Sequence, residues 1–468
     1  FDLSEYLNRN LFRVSLMDLL IRKFLILGLL AVGCVALAQS DTRTETKQDR
    51  LVDQASRLKG LLDAYHDVYG MSGAIRVSRQ GNLMFEESIG LAQRTFSVAY
   101  TPDVRQPINS VSKVFTTVVT LRLVQDGKLN LDKPIAHYLP GLAADWAEQL
   151  TAHPLLSHTS GLPREAGLDA HSSLSFEQQM KTVEALPLRF EPGSEYGYSN
   201  AGFIILGYLL ETVSGKDYAT LVQDLVLAPL SLENTGVLVG RTVVPRLATP
   251  YRMGAEGVVT AQRTKTLGAS AGGGLYSNGS DLHVFMQALL GDELLQRNLR
   301  DQLVQVHSPA GGEIGEAYAF SIQAFGDKKI WLAAGSGYGA KSVVIQVPEE
   351  QLVVSILSNW GNTPIMAVLR DIYLTLENQP VALPDRSGLA SPDAFSANLG
   401  RYQFDESALR QALQMDNSIL RLHVSDNKVF LNDELMAAGE ESGTWRLTYT
   451  EELVLSLIHI SEPTRPMK

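Results

Sequence analysis

From Val114 to Val124 the chain carries apolar side chains on most sides of the helix that its spacing indicates. A helix that is apolar all round is stable only when other elements cover it. Strand patterns precede it at Ala74–Ser78 and Leu83–Ile89, and further strand patterns follow between Ala317 and Leu357. This order predicts an α+β fold. Strands from both ends of the region form an antiparallel sheet flanked by helices, with a helical subdomain inserted between them.

The charge balance and the cysteine count exclude several classes of protein. With 40 Lys and Arg against 51 Asp and Glu, the net charge is −11. A protein that binds nucleic acid mainly through charge is basic, so we expect no nucleic-acid partner. The single cysteine, Cys34, excludes a disulfide framework, a zinc–thiolate site and a Cys–His catalytic pair.

The N-terminal region has the pattern of an export signal. Residues 17–38 carry a basic pair, Arg22-Lys23, followed by an apolar run and an Ala-Leu-Ala site, which fits cleavage after Ala38. We therefore predict a signal peptide and a periplasmic location in a bacterium. The alternative is a lipoprotein acylated at Cys34, and only then do we expect membrane contact. Residues 1–16 are interpreted as upstream read-through.

The remaining chain divides into a main and a small domain, since 468 residues exceed what one core supports. The main domain is predicted over residues 49–377. Residues 378–392 are rich in Pro and Ser and are interpreted as a linker. Alternating patterns predict a small C-terminal all-β domain over 393–455. Residues 456–468 are interpreted as a non-native tail. If that tail replaces native sequence, the small domain is truncated.

Ser110 and Lys113 begin the apolar helix and are spaced as Ser-x-x-Lys, one helical turn apart on one face. A serine hydroxyl is a weak nucleophile that needs a base beside it. A lysine acts as that base only where burial or a positive charge lowers its pKa. Backbone N–H groups at the helix N-terminus can also stabilise an oxyanion. The same spacing at Ser56 and Lys59 lies on an amphipathic, peripheral helix, so we assign the chemistry to Ser110.

A second group of candidates is Tyr198-Ser-Asn200, which opens an apolar helix that ends at Gly215. A tyrosine there can accept or pass a proton, and the asparagine amide can hold a substrate carbonyl or the lysine. The same spacing recurs at Tyr276, in a glycine-rich turn before a helix whose expected cap is Ser280. We prefer Tyr198 and interpret Tyr276 as a packed turn residue.

Four segments together resemble the superfamily of serine β-lactamases and penicillin-binding proteins, nearest to its branch of class C β-lactamases, D-aminopeptidases and esterases. They are INSVSK (108–113), LLSHTSGLP (155–163), FEPGSEYGYSNAGFIILGYLLE (190–211) and AGGGLYSNGSDLHVFMQALL (271–290). The resemblance implies a β-lactamase/transpeptidase-like fold for the main domain and a serine hydrolase that works through an acyl-enzyme. It implies Ser110 as nucleophile, Lys113 as its proton partner, Tyr198 as catalytic base or relay and Asn200 as a substrate contact. It implies no metal and no organic cofactor.

The sequence departs from the family at its third motif, Lys-Thr-Gly or His-x-Gly. One alignment places Ala333-Ala334-Gly335 there and another places Gly335-Ser336-Gly337; neither contains a cation. Glycine permits close backbone approach to a substrate, so Gly335, Ser336 and Gly337 are assigned to substrate binding. A β-lactam or D-Ala carboxylate would lack its usual partner. Lys341 is expected to face solvent rather than to replace that cation.

Other candidates are less favoured. His158 is interpreted as a structural turn residue, and His153 and His158 lack an acidic partner at zinc-ligand spacing. Gly272-Gly-Gly274 lacks the Gly-Lys-Ser ending of a phosphate loop and is interpreted as a turn. The expected function is hydrolysis of an ester, a D-amino-acid peptide or a β-lactam by an exported serine hydrolase. The alternative is a catalytically weak relative that binds cell-wall peptides or a protein partner.

Overall fold

The fold is described from a computed structural model. It describes residues 47–167, 174–239, 242–254, 257–261, 270–309, 311–337, 339–386, 389–395, 400–403, 419–425, 428–431, 434–438, 444–447 and 454–456. The predicted signal peptide, Cys34 and residues 457–468 of the predicted tail lie outside these ranges. None of the helices within them has the length and apolar character that a membrane crossing requires. The chain divides into the units Phe1–Asp53 and Gln54–Lys468, and apart from the start of the first helix the elements below belong to the second.

The helices cluster in the first two thirds of the described chain. The α-helices are α1 (Lys47–Tyr69), α2 (Ser112–Gln125), α3 (Ala152–Leu156), α4 (Phe176–Val183), α5 (Asn200–Ser214), α6 (Tyr218–Val222), α7 (Gly279–Ala288), α8 (Arg297–Val304), α9 (Ile365–Leu376) and α10 (Pro392–Phe395). Short 3₁₀ turns cover Asn109–Val111, Ile135–His137 and Pro348–Glu350, and a π-helical turn covers Gln223–Leu227.

The strands lie before α2, between α6 and α7, between α8 and α9, and again at the C-terminus. They are β1 (Gly73–Arg79), β2 (Asn82–Ile89), β3 (Leu91–Gln93), β4 (Val98–Ala99), β5 (Gln106–Pro107), β6 (Gly236–Val237), β7 (Tyr251–Gly254), β8 (Gly257–Thr260), β9 (Leu275–Ser277), β10 (Gly315–Glu316), β11 (Ser321–Phe325), β12 (Lys328–Gly337), β13 (Ala340–Val347), β14 (Leu352–Ser358), β15 (Gly400–Gln403), β16 (Ile419–Ser425), β17 (Lys428–Leu431), β18 (Glu434–Ala438), β19 (Thr444–Leu447) and β20 (Val454–Ser456).

The main sheet is antiparallel, with the strand order β10-β11-β12-β13-β14-β1-β2. Strand β1 from the start of the region pairs with β14 from its end, and Ala74 lies opposite Leu357. The prediction of an α+β fold with a sheet built from both ends is therefore confirmed. The strand predicted from Ala317 begins only at Ser321. Ala319 has a φ of 60° and the Ala317 N–H donates to the Phe320 carbonyl, so these residues form a turn.

Helix α2 is buried along nearly its whole length, as its apolar sequence predicts. The Phe115 ring stacks on the Phe285 ring of α7, with 3.8 Å between their centroids. Buried threonine hydroxyls on the helix donate to carbonyls four residues earlier, for example Thr117 to Lys113 at 2.8 Å. Its polar groups are thus satisfied inside the core, and the helix gives the nucleophile segment a rigid base.

The C-terminal strands form a separate antiparallel sheet in sequential order from β15 to β20. The hairpin predicted around Asp426-Asn427 corresponds to β16 and β17, whose residues Ser425 and Lys428 are paired. Phe430 is buried in a small cluster with Tyr251 and Trp360. The division into domains at 378–392 stays a prediction.

Candidate active site

The segment before α2 is held against the main sheet by backbone and side-chain hydrogen bonds. The Ser342 hydroxyl on β13 donates to the Ile108 carbonyl at 2.6 Å. The Asn109 amide donates to the Ala340 carbonyl at 3.0 Å, while Asn109 itself has a φ of 48°. Ser110 therefore lies in the 3₁₀ turn Asn109–Val111, and α2 begins two residues later than a helix starting at Ser110 would.

Two proton-carrying groups meet at the Ser110 hydroxyl. The Tyr198 hydroxyl donates to Ser110 Oγ at 2.9 Å, and Lys113 Nζ lies 3.4 Å from the same atom. Tyr198 comes directly before α5, which Ser199 caps by accepting from the Gly202 N–H. The cap fixes the direction in which the chain enters α5, and so fixes the residue that precedes it.

Lys113 is 2% exposed, and its ammonium group has hydrogen-bond partners inside the site. Its Nζ donates to Asn200 Oδ1 at 2.8 Å and to the Gly272 carbonyl at 2.7 Å. It also lies 5.0 Å from the ring centroids of Tyr198 and Phe203. An ammonium has three donors, and here two point to fixed acceptors while the third points to Ser110. A base at Lys113 would use that third position to accept the Ser110 proton.

The edge of β12 lies against the nucleophile. A Cβ on Gly335 would come 2.3 Å from the Ile108 carbonyl oxygen and 2.9 Å from the Ser110 nitrogen, so only glycine fits there. A Cβ on Gly337 would come 3.2 Å from Asn109 Oδ1. Ser336 is exposed and lies opposite Lys341 in the register with β13. Gly335 and Gly337 thus border the nucleophile segment.

The expectation that Lys341 faces solvent is wrong, because this residue is 3% exposed. Side chains alternate between the two faces of a strand. The neighbouring Ser342 reaches the Ile108 carbonyl, so Lys341 projects from the other face of β13. It therefore does not bring a cation to the face of the sheet that meets the nucleophile.

Tyr276 lies in β9, where Pro107 and Gly236 are its strand partners. The helix that follows is capped by Asn278, which accepts from the Asp281 N–H at 3.0 Å, so the expectation of a Ser280 cap is wrong. The repeated Tyr-x-Asn spacing thus builds a strand and a helix cap here, whereas Tyr198 reaches Ser110.

The other Ser-x-x-Lys pair is also peripheral. Lys59 is half-exposed and forms an ion pair with Asp63 at 3.1 Å, within the same helix. Nothing in this arrangement brings Lys59 to a nucleophile, which agrees with the peripheral helix expected there.

His158 holds the backbone next to Tyr198. It has a φ of 57°, and its Nδ1 accepts from the Ser199 N–H at 3.1 Å. Burial, followed by the charges of Lys113 and Arg164, holds the pKa of His158 well below its usual value, so the ring is neutral. A neutral ring that accepts a backbone hydrogen bond is a structural turn residue. The described ranges contain no group of three metal-ligating side chains.

Sequence reasoning missed three groups at the site. The Gly272 carbonyl, assigned to a turn, accepts from Lys113, and a backbone acceptor leaves no side-chain signature. Arg164 lies with its guanidinium carbon 4.9 Å from the Tyr198 ring centroid, and Glu165 accepts from Asn200 Nδ2 at 2.6 Å. Both directly follow the segment 155–163, so their place in the chain was the available signal.

Comparisons with known proteins agree with this geometry. The Beta-lactamase family model matches residues 58–377. Penicillin-binding protein 4* of Bacillus subtilis (strain 168) is 23% identical over 403 residues, which are 80% of this chain and 88% of that protein. Esterase EstB of Burkholderia gladioli is 31% identical over 220 residues, and the match spans 43% of this chain and 55% of the esterase.

Solved structures show the same fold. The D-amino acid amidase of Ochrobactrum anthropi SV3, complexed with L-phenylalanine amide, gives a TM-score of 0.61 at 22% identity and covers 70% of this chain and 99% of its own. At this identity the likeness concerns the fold alone. The family model, by contrast, covers more than half of the chain. The chain therefore belongs to the beta-lactamase family and is a serine hydrolase.

Proposed function

We propose that the protein hydrolyses an ester, an amide or a lactam through an acyl-enzyme on Ser110. One observation carries the proposal: Tyr198 O–H and Lys113 Nζ converge on one hydroxyl, at 2.9 and 3.4 Å. A weak hydroxyl nucleophile needs a base within this reach. Lys113 and Tyr198 supply two such groups.

In acylation Ser110 Oγ bonds to the substrate carbonyl carbon, and its proton passes to Lys113 or Tyr198. The oxyanion that forms is stabilised by the Ser110 N–H and by an N–H from the Gly335–Gly337 edge. Collapse breaks the bond to the leaving group, which takes the proton. Water then bonds to the acyl carbon and gives a proton to the same groups. The bond between the acyl carbon and Oγ breaks, Oγ takes that proton, and the carboxylic acid product leaves.

Esters and amides without a recognised carboxylate are the favoured substrates, because the segment Ala333–Gly337 holds neither Lys nor His. A relative named as an esterase supports that choice. Lys341 does not supply the missing cation, since it projects from the other face of β13. Efficient β-lactam hydrolysis is accordingly disfavoured.

The test is covalent labelling by a fluorophosphonate, followed by intact mass analysis and peptide mapping. Wild type is expected to gain one adduct, located on Ser110, and Ser110→Ala none. Ser56→Ala is the matched control, because Ser56 shares the Ser-x-x-Lys spacing and is expected to leave labelling unchanged. Absence of both an adduct and ester turnover would favour the alternative, a weak relative that binds cell-wall peptides or a protein partner.

We also propose export to the periplasm, supported by the basic, apolar and Ala-Leu-Ala pattern of residues 17–38. Expression in a bacterium followed by N-terminal sequencing tests this. Cleavage after Ala38 supports a signal peptide, whereas an acylated N-terminal Cys34 supports the lipoprotein. An uncleaved chain contradicts both.

A further inference from the structure

The Asn200 carboxamide forms hydrogen bonds on its two sides with side chains of opposite charge, Lys113 and Glu165. Its Oδ1 accepts from Lys113 Nζ at 2.8 Å, and its Nδ2 donates to Glu165 Oε1 at 2.6 Å. Its backbone N–H donates to the Arg164 carbonyl at 2.7 Å. Arg164 and Glu165 together therefore hold the backbone and the side chain of one residue at the site.

The two partners determine which way the carboxamide faces. An ammonium only donates hydrogen bonds, and an ionised carboxylate only accepts them. Rotating the amide by half a turn would set Nδ2 against Lys113 and Oδ1 against the carboxylate, which loses both hydrogen bonds and opposes like partial charges. The observed orientation is the one that both neighbours favour.

We propose that Glu165 is a positioning residue: it holds the Asn200 amide in the orientation that presents Oδ1 to Lys113. This rests on the proposed function, because it assumes that Lys113 exchanges a proton with Ser110. With Oδ1 and the Gly272 carbonyl fixed as two acceptors, the third position of Lys113 points to the nucleophile. Without Glu165 the amide turns more freely, and this alignment is populated for less of the time.

Glu165 is suited to this role without being part of the core. Its side chain is 64% exposed, while Ala166 next to it and Leu162 three residues before it are buried. Its ion pair with Arg164 is long, at 3.8 Å, so the carboxylate remains available to Asn200. Substitution of an exposed side chain is expected to leave the folded structure intact.

The experiment measures the second-order rate constant for labelling of Ser110 by the fluorophosphonate, together with the melting temperature. Glu165→Ala is expected to lower the rate constant by about 3- to 30-fold, the range for an exposed hydrogen bond to a charged group. Glu165→Gln keeps an acceptor oxygen and should recover to within about threefold of wild type. Glu195→Ala, an exposed carboxylate three residues before Tyr198, is the control for the loss of one negative charge.

The decisive arm repeats Glu165→Ala in the Asn200→Ala background. A residue that acts through Asn200 has no further effect once the amide is gone, whereas a direct effect persists. Should Asn200→Ala not fold, Glu165→Lys replaces that arm. A donor at this position favours the reversed amide and should slow labelling more than alanine does.

Equal rate constants for wild type and Glu165→Ala would overturn the proposal, as would the same loss in both backgrounds. Equal losses in Glu165→Ala and Glu195→Ala would overturn it too. A wild-type protein that does not label at Ser110 refutes the proposed function and this inference together. Labelled wild type with an unaffected Glu165→Ala refutes the inference alone.

Discussion

Replacing Gly335 by alanine tests whether the edge of β12 sets the position of the nucleophile. The added Cβ would lie 2.3 Å from the Ile108 carbonyl oxygen, 2.7 Å from Ser342 Oγ and 2.9 Å from the Ser110 nitrogen. Two of these atoms are backbone, so rotation of a side chain cannot relieve the contact. The φ of Gly335 lies outside the left-handed region, and the whole effect therefore comes from the contact.

The size of the effect follows from the overlap. Ordinary contacts between carbon and other heavy atoms begin at about 3.5 Å, so β12 and the Ser110 turn must separate by roughly 1 Å. Overpacking of this kind costs about 1–3 kcal/mol of unfolding free energy. A misplacement of about 1 Å at a reacting centre costs roughly 100-fold in rate. The rate constant for acylation should thus fall far more than stability alone explains.

The assay combines denaturant unfolding with the rate of Ser110 labelling in the folded protein. Gly141→Ala is the matched control, since its added Cβ would have no heavy atom within 4 Å and its φ is not left-handed. We expect the control to label at the wild-type rate. If Gly335→Ala labelled as fast as the control, β12 would not set the geometry of the nucleophile.

Three further predictions concern proton transfer, pH and packing. Tyr198→Phe removes the phenol hydroxyl that donates to Ser110 Oγ and should lower ester turnover by about 10²–10⁴-fold. Tyr276→Phe should leave turnover near wild type in the same steady-state assay. Burial lowers the pKa of His283 from 6.5 to about 3, so the unfolded chain takes up that proton first as pH falls below 6.5. Unfolding free energy should therefore drop between pH 6.5 and 3 by up to about 1.4 kcal/mol per pH unit. Denaturant titrations at pH 7 and 5 should show a smaller drop in His283→Gln than in wild type. An equal drop in the two proteins would refute the assignment to His283. Gly207→Ala places a Cβ 2.2 Å from the Phe176 ring and should cost about 1–3 kcal/mol in the same titration, while folded protein still labels; unchanged stability would contradict the packing.

The parts of the site that local spacing controls could be predicted from the sequence. Ser110 and Lys113 are three residues apart, so any helical turn brings them together. The apolar run after them required a buried helix, and α2 is one. Tyr198 was preferred over its second copy by the apolar helix that follows it, a local signal as well.

The long-range partners could not be predicted, because no local rule relates residues far apart in the chain. Gly272 is 159 residues from Lys113, and it contributes a carbonyl that every residue type has. The burial of Lys341 depended on which face of β13 meets the nucleophile segment, and alternation alone does not say which. Glu165 looked like any exposed acid until the fold placed it against Asn200.

The sequence by itself determined the elements, their order and the chemical groups available, because helix periodicity and strand alternation are properties of neighbours along the chain. Only the tertiary structure decided which backbone carbonyl accepts from Lys113, which acid holds Asn200 and which face of β13 carries Lys341. These are distances through space between separate elements, and they are set by the register of the sheet and the packing of α2 and α5 against it.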